Sequence, residues 1–149
     1  MKIDFYFSYR SPYSYLILPR VLDLKNNYKI DINFKLVYPL AIREPEFFKG
    51  KNFLTYFFYK IRDMRSVAKQ LDMPFFTPRP DPIKQSYLTG KIADEQPYIF
   101  DLCHIGQQAA QEGLGIEIAY ELSSLIFGTK GGWNEESTLD KAFAKVGLN

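Results

Sequence analysis

Residues 3–24 of this chain read IDFYFSYRSPYSYLILPRVLDL, and this stretch decides the fold. In residues 2 to 9 apolar and polar side chains alternate, which is typical of a half-buried β-strand. Residues 12 to 24 then carry leucines and a valine at helical spacing. Residues 29 to 37 repeat the alternation, so strand, helix and strand follow one another at the length of a βαβ unit. Because two strands joined in this way run parallel, the sequence predicts an α/β fold.

The chain beyond residue 38 has a different character, since nothing there alternates clearly with a period of two. The expected elements are, in chain order, a loop at 39–52, a helix at 53–71, an irregular crossing at 75–96, helices at 97–112 and 116–127, and a last helix ending at 146. We expect a capping box over Ser137–Asp140 to begin the last helix and Gly147 to end it. We therefore divide the chain into a βαβ part, residues 1–44, and a helical part, residues 45–149.

Composition excludes several classes of function. The 149 residues carry a net charge of +2, with Lys and Arg spread along the chain, which argues against nucleic acid as a main partner. No run approaches the roughly 18 apolar residues of a membrane span, and Asp4 and Arg10 interrupt the N-terminal apolar stretch, so we expect neither membrane association nor a signal peptide. Cys103 and His104, each the single residue of its type, are too few for a typical zinc site, so no metal is expected. Together these features predict a cytoplasmic protein.

The segment Ser11-Pro12-Tyr13-Ser14 stands where a Cys-x-x-Cys redox pair would stand, just past the first strand. Since both positions are serines, no disulfide can form there. Serine is a favoured N-cap and proline a favoured first helical residue, so the segment predicts at least a well-made helix start. The same geometry also supports a binding site, because a helix N-terminus stabilises an anion such as a thiolate. Arg10 would add to this field, and a serine hydroxyl can donate a hydrogen bond to the sulfur of glutathione.

On these residues the chain resembles the 2-hydroxychromene-2-carboxylate isomerases and the kappa-class glutathione transferases, within the DsbA-like thioredoxin superfamily. The resemblance rests on DFYF in the first strand and SPYSYL on the helix, and extends through YKIRDMRSVAKQLDMPFFTP, residues 59–78, and the helices of residues 97–146. It implies a thioredoxin-like fold with an inserted helical domain. It also implies a glutathione-dependent isomerase in which Ser11 holds the glutathione sulfur. In that family the thiolate adds reversibly to an unsaturated aromatic pyruvate-type substrate.

The chain departs from this family in two respects. Family members return after the last helix to the thioredoxin half, whose cis-proline turn and strands also bind glutathione, and this sequence stops at Asn149. We therefore expect weakened glutathione binding, and open strand edges that recruit a second copy into a homodimer. The family also usually carries a lysine shortly before the tyrosine that matches Tyr59, where this chain reads NFLTYFFY. Asn52, the predicted cap of the helix at 53–71, matches a glutathione-binding asparagine of the family if one gap is allowed.

Two other functions stay open at this point. One is kappa-like transfer of glutathione to an electrophile. The other is a truncated relative that binds thiols weakly, or not at all, and does no chemistry.

Other notable residues receive simpler interpretations. Cys103 lies on the apolar stripe of its helix, which predicts a small buried hydrophobe rather than a redox residue. His104 lies on the polar side of the same helix. Trp133, in a glycine-rich loop, either lines a substrate cleft or pins the loop. A solvated helix face is predicted for Lys60, Arg62, Arg65 and Lys69.

Overall fold

The computed structural model describes residues 1–48, 52–86 and 88–148, and its elements follow the predicted order. They are β1 (Lys2–Phe7), α1 (Pro12–Asn26), β2 (Asp31–Leu36), α2 (Leu40–Arg43), a 3-10 turn (Pro45–Phe48), α3 (Phe53–Gln70), α4 (Ile99–Gln111), α5 (Gly115–Gly128) and α6 (Glu136–Val146). β1 and β2 pair in parallel, from Lys2 opposite Asp31 to Phe7 opposite Leu36. The predicted parallel βαβ unit is therefore confirmed.

The two-stranded sheet has one apolar and one polar face, as the alternation of side chains predicts. Phe7 is fully buried, and its ring centroid lies 5.5 Å from that of Phe34 on the neighbouring strand. On the opposite face Asp4 accepts hydrogen bonds from Lys35 at 2.7 Å and Asn33 at 2.8 Å. These bonds, that of Lys35 first, hold the pKa of the Asp4 carboxyl below its ordinary value. One face thus packs on the core while the other is wet.

The connection after β2 is more ordered than the sequence predicts. The expected loop at 39–52 contains the one-turn helix α2 and the 3-10 turn, so that prediction is wrong for these residues. Pro39 starts α2, since its carbonyl accepts hydrogen bonds from the N–H groups of Ile42 and Arg43. Residues 49–51 of the expected loop lie outside the described residues.

The predicted capping box of the last helix is also wrong. The helix α6 begins at Glu136, and Glu135 is its N-cap, but the Glu135 side chain accepts no capping hydrogen bond. Ser137 and Asp140 of the expected box therefore lie inside the helix. The Glu135 carbonyl accepts hydrogen bonds from the N–H groups of Thr138 at 2.9 Å and Leu139 at 3.0 Å, so the helix begins before the serine. The predicted end is confirmed, since Gly147 is a left-handed C-cap.

The helix α5 is the centre of the hydrophobic core. It packs against α1, α4 and α6, and buried side chains occupy most sides of the helix. A helix that is apolar over most of its surface belongs in an interior. One continuous cluster of buried residues joins α1 and β1 to the later helices. The division at residue 44 remains a prediction about sequence organisation, since both parts contribute to this one core.

The irregular crossing between α3 and α4 is fastened to the core by Trp133. Its side chain is buried, and its Nε1 donates a 2.7 Å hydrogen bond to the carbonyl oxygen of Pro80. Within the crossing, Gln85 and Ile92 form an isolated antiparallel bridge. Of the two interpretations of Trp133, pinning is therefore the one the structure supports. The fastened crossing in turn fixes one wall of the cleft described below.

Candidate functional site

Ser11 caps the helix that follows β1. Its backbone is extended, with φ −91° and ψ 109°, and its Oγ accepts a 3.2 Å hydrogen bond from the N–H of Ser14. Pro12 occupies the first helical position, where its missing N–H costs nothing because that group has no partner within a helix. The predicted N-cap at Ser11 is confirmed.

The first turn of α1 has hydrogen-bond donors that no described residue uses. The Ser11 hydroxyl accepts from Ser14, and its own hydrogen has no acceptor among the described residues. The same holds for the backbone N–H of Tyr13. These donors lie at the positive end of a 15-residue helix, where about half an elementary charge is concentrated. The helix start is therefore equipped to hold an anion.

This helix start borders a cleft of about 440 Å³ at the carboxyl ends of β1 and β2. That is where open α/β sheets place their ligands, and the volume lies within the roughly 300–1,000 Å³ of small-molecule sites. The described residues around it come from β1 and its exit (Tyr6, Ser8, Arg10), α1 (Ser11, Pro12, Tyr13, Ser14), β2's exit and α2 (Val37, Tyr38, Pro39, Leu40, Ala41, Arg43), α3 (Tyr56, Phe57, Lys60, Ile61, Met64), the crossing (Phe75, Thr77, Pro78, Asp81) and α5 (Phe127). Five separate stretches of the chain thus meet at one cavity.

Part of the cleft wall is made of stacked aromatic rings. The ring of Phe127 stacks on Tyr15 with centroids 5.6 Å apart, and on Phe75 with centroids 6.1 Å apart. Tyr15 is anchored by a 3.0 Å hydrogen bond from its hydroxyl to the carbonyl of Pro74. Burial raises the pKa of Tyr15 to about 12, so this anchor stays protonated at neutral pH. Phe75 and Phe127 therefore give the cleft a fixed apolar surface suited to a planar ligand.

The helix α3 forms another part of the cleft wall. Tyr13 donates a hydrogen bond to the Asp63 carboxylate, which ties the start of α1 to α3. Partial burial first, and then this bond, raises the pKa of Tyr13 above its ordinary value. Lys60 lies with its Nζ 5.1 Å from the centroid of the Tyr13 ring and 5.7 Å from that of Tyr56. Aromatic rings thus hold this ammonium group at the cleft.

Lys60 corrects one prediction from the sequence. The sequence predicts that Lys60 lies on a solvated helix face with three other cations. Those three, Arg62, Arg65 and Lys69, are exposed as predicted. Lys60 instead is half-buried and lines the cleft. The helical spacing alone does not separate it from its neighbours, because the rings that hold it come from α1 as well as from α3.

Arg10 forms a bidentate ion pair across the cleft wall. Its Nε donates to Asp81 Oδ1 at 2.9 Å, and its Nη2 donates to Asp81 Oδ2 at 3.0 Å. Both side chains are less than one-fifth exposed, at 19% and 18%. Asp81 Oδ1 also accepts a 3.0 Å hydrogen bond from the N–H of Ile83, which orients the carboxylate. The negative charge of Asp81 therefore offsets the positive charge of Arg10 at this site.

The structure does not bring Asn52 to the cleft. Its Oδ1 accepts a 3.1 Å hydrogen bond from the N–H of Thr55, so the predicted cap of α3 is confirmed. The side chain is exposed, and Asn52 does not appear among the described residues around the cavity. Its predicted role in binding glutathione stays a prediction.

Cys103 lies in the core, away from the cleft-lining residues. It is buried on α4, and burial raises the pKa of its thiol to about 12. It therefore stays a protonated thiol at neutral pH, which agrees with the interpretation as a small hydrophobe. His104, the next residue, is exposed.

Ser8 and Asp81 were missed by the analysis of the sequence. The Ser8 hydroxyl is buried without a hydrogen-bond partner among the described residues, and Ser8 lines the cleft. Asp81 is separated from Arg10 by 71 positions. A charged residue flanked by Pro80 and Pro82 was the only local signal, and it does not reveal the distant partner.

Within the described ranges, no helix combines the length and the apolar character that a membrane span requires. These residues also bring together no group of three His, Cys, Asp or Glu side chains that could hold a metal ion.

No protein-family model and no curated protein matches the sequence. Among solved structures the chain resembles a structure of 2-hydroxychromene-2-carboxylate isomerase, with a TM-score of 0.71 and 19% sequence identity. The match covers 100% of this chain and 67% of that chain. At this identity the similarity concerns the fold alone. It confirms the predicted fold class: the chain is α/β, a thioredoxin-like βαβ unit followed by a large helical portion.

Proposed function

We propose that this chain binds glutathione at Ser11 and acts as a glutathione-dependent isomerase on an unsaturated aromatic pyruvate-type substrate. The observation that carries the proposal is the start of α1. There the Ser11 hydroxyl and the Tyr13 N–H keep donors that no described residue uses, at the edge of a cleft of about 440 Å³. A thiolate bound there would accept hydrogen bonds and lie at the positive end of the helix.

The charges around the cleft suit glutathione, which carries two carboxylates besides its thiol. Lys60 and Arg43 line the cleft, and neither belongs to any of the ion pairs found between described residues. The Arg43 Nε donates instead to the carbonyl of Tyr38 at 3.0 Å. The unused hydroxyl of Ser8 offers a further polar group. These groups fit an anionic, hydrogen-bonding ligand.

The substrate half of the proposal rests on the aromatic side of the cleft. Phe75 and Phe127 present stacked rings, and Phe57 lines the same cavity from α3. Bound glutathione would supply a nucleophilic sulfur that adds reversibly to a double bond and so permits rotation about it. The chain itself would orient the planar substrate on these rings.

The proposal is tested first by binding. We expect isothermal calorimetry at millimolar glutathione to give heat that fits one site, and S-methylglutathione, which has no thiol, to bind more weakly. Ser11→Ala should reduce the preference for the free thiol. Ser66→Ala, an exposed serine on α3 outside the cleft, is the matched control and should bind as the parent does. Equal binding of glutathione and S-methylglutathione by the parent would contradict the thiol site.

The reaction is tested second, because the transferase alternative uses the same thiol site. Incubation with glutathione and a cis aromatic enone carboxylate should give the trans isomer with glutathione regained. Incubation with 1-chloro-2,4-dinitrobenzene should give no enzyme-dependent conjugate. A conjugate without isomerisation would favour the transferase, and binding without either reaction would favour the non-catalytic alternative.

A further inference from the structure

The ion pair between Arg10 and Asp81 lies beside the proposed thiol site, although only one of its members is near Ser11 in sequence. Arg10 immediately precedes Ser11, and Asp81 comes from the crossing 71 residues later. Both line the cleft, and both are less than one-fifth exposed. A charge pair at such burial is screened by water only in part, so each member acts strongly on its neighbours.

The pair is bidentate, and the carboxylate is also held by a backbone N–H group. Two parallel hydrogen bonds of 2.9 and 3.0 Å join guanidinium and carboxylate. Asp81 is itself held by the N–H of Ile83, and the neighbouring Pro80 carbonyl is held by Trp133. The carboxylate is therefore an anchored group, and Arg10 is positioned by it.

We infer that Asp81 is a positioning residue of the thiol site, which holds the Arg10 guanidinium and offsets its charge beside Ser11. The inference rests on the proposed function, since it concerns the same site. It means that the Ser11 hydroxyl and the helix N-terminus stabilise a thiolate, while the Arg10–Asp81 pair contributes little net charge. Releasing either member would change the charge at the site, in opposite directions.

Other ionisable groups surround the same cavity and stay constant in the test. Besides the pair they are the cations Lys60 and Arg43 and the phenols Tyr6, Tyr13, Tyr38 and Tyr56, with Asp63 behind Tyr13. The two cations and the helix end lower the pKa of a thiol at Ser11 in every variant alike. A difference between variants therefore reports on the pair.

The experiment measures the field at Ser11 without any ligand. Ser11→Cys places a thiol at this position, and its pKa is obtained from thiolate absorbance against pH and from the pH dependence of alkylation. Cys103 does not interfere, because burial raises its pKa to about 12. In this background Asp81→Asn should lower the pKa of the introduced thiol by about half a unit to one unit, since it leaves the Arg10 charge uncompensated. Arg10→Gln should raise it by a similar amount, since it removes the positive charge of Arg10 from beside the thiol.

Controls separate charge from structure. The double variant Arg10→Gln with Asp81→Asn should return near the parent value, and Arg10→Lys should stay closer to the parent than Arg10→Gln. Glu121→Gln, which breaks an ion pair with Lys145 outside the cleft, should change nothing. If Asp81→Asn does not fold by circular dichroism, the comparison of Arg10→Gln with the double variant decides, because only a carboxylate that acts on the thiol makes the pKa of the double variant lower than that of Arg10→Gln. Shifts in the same direction for both single variants, or shifts no larger than that of Glu121→Gln, would overturn the inference.

The readout also separates this inference from the proposed function. Opposite shifts in a chain that binds no glutathione would leave the charge pair established and the glutathione site refuted. Normal glutathione binding without opposite shifts would leave the glutathione site established and refute the role of the charge pair.

Discussion

Ser11 combines two roles that are ordinarily separate. As N-cap it accepts from the Ser14 N–H, and as a hydroxyl it still has a hydrogen to donate into the cleft. A cysteine at this position would itself be the nucleophile, whereas a serine can only hold the sulfur of another molecule. The local sequence therefore agrees with a site in which a bound molecule supplies the thiol.

Replacing Ser11 by alanine should raise the pKa of bound glutathione by about one to two units. A hydrogen bond to a charged group contributes about 1.5–3 kcal/mol, and one pKa unit corresponds to about 1.36 kcal/mol. Thiolate absorbance against pH measures the change. Ser11→Gly is the informative partner, because glycine keeps most of the capping stability but has no hydroxyl. Equal thiol pKa values in the parent and both variants would remove Ser11 from the binding role.

Cys103 should affect alkaline stability but not glutathione binding. Its thiol titrates near 9.0 when unfolded and at about 12 when buried, so above pH 9 the unfolded chain loses a proton that the folded chain retains. The free energy of unfolding should therefore fall as pH rises from 9 towards 12. Tyr15, with its pKa raised to about 12, contributes in the same direction. Urea titrations at pH 8 and pH 10.5 should show a smaller loss in Cys103→Ala than in the parent, with glutathione binding retained. An equal loss, or a folded variant without binding, would contradict this account.

Among the elements, α3 determines the shape of the cleft. The side chain of Asn52 caps this helix, and one turn later Tyr56, Phe57 and Lys60 line the cavity. Asn52→Ala should cost about 1 kcal/mol of stability, measured by urea denaturation, because the Thr55 N–H loses its acceptor. Asn52→Ser supplies another good cap and should restore most of that loss. If glutathione affinity falls equally in both variants while stability recovers in Asn52→Ser, the amide has the binding role that the resemblance implies.

The elements also show what local sequence can and cannot predict. The alternation in β1 and β2 and the N-caps at Ser11 and Asn52 were predictable, because each depends on neighbours within one turn or one strand. The start of α6 was not, because the carbonyl that accepts its first hydrogen bonds belongs to Glu135, a residue type that is not a favoured N-cap. The Arg10–Asp81 pair was not predictable either, since it depends on how the proline-rich crossing packs. The fold could thus be inferred from residues 3–24 and the helical stripes, whereas the walls of the site required the tertiary structure.

At the scale of the whole molecule, two surfaces are incompletely covered. β1 and β2 pair with each other and with no other named strand among the described residues, so each strand keeps one edge without a strand partner. On α3 the rings of Phe58 and Tyr59 are 67% and 65% exposed. Exposed strand edges and neighbouring apolar side chains both favour association.

We propose on these grounds that the 149-residue chain forms a homodimer or larger assembly, and that α3 takes part in it. Light scattering coupled to size exclusion should give a mass above 17.4 kDa that increases with concentration. Phe58→Lys combined with Tyr59→Lys should shift the chain towards monomer, because two exposed rings become charged. Leu88→Lys is the matched control, since Leu88 is 78% exposed on the crossing and its replacement should leave the mass unchanged. A parent chain that stays monomeric at all concentrations would refute the assembly. Association that survives the double variant would instead place the contact at the strand edges, where backbone groups rather than side chains would join the copies.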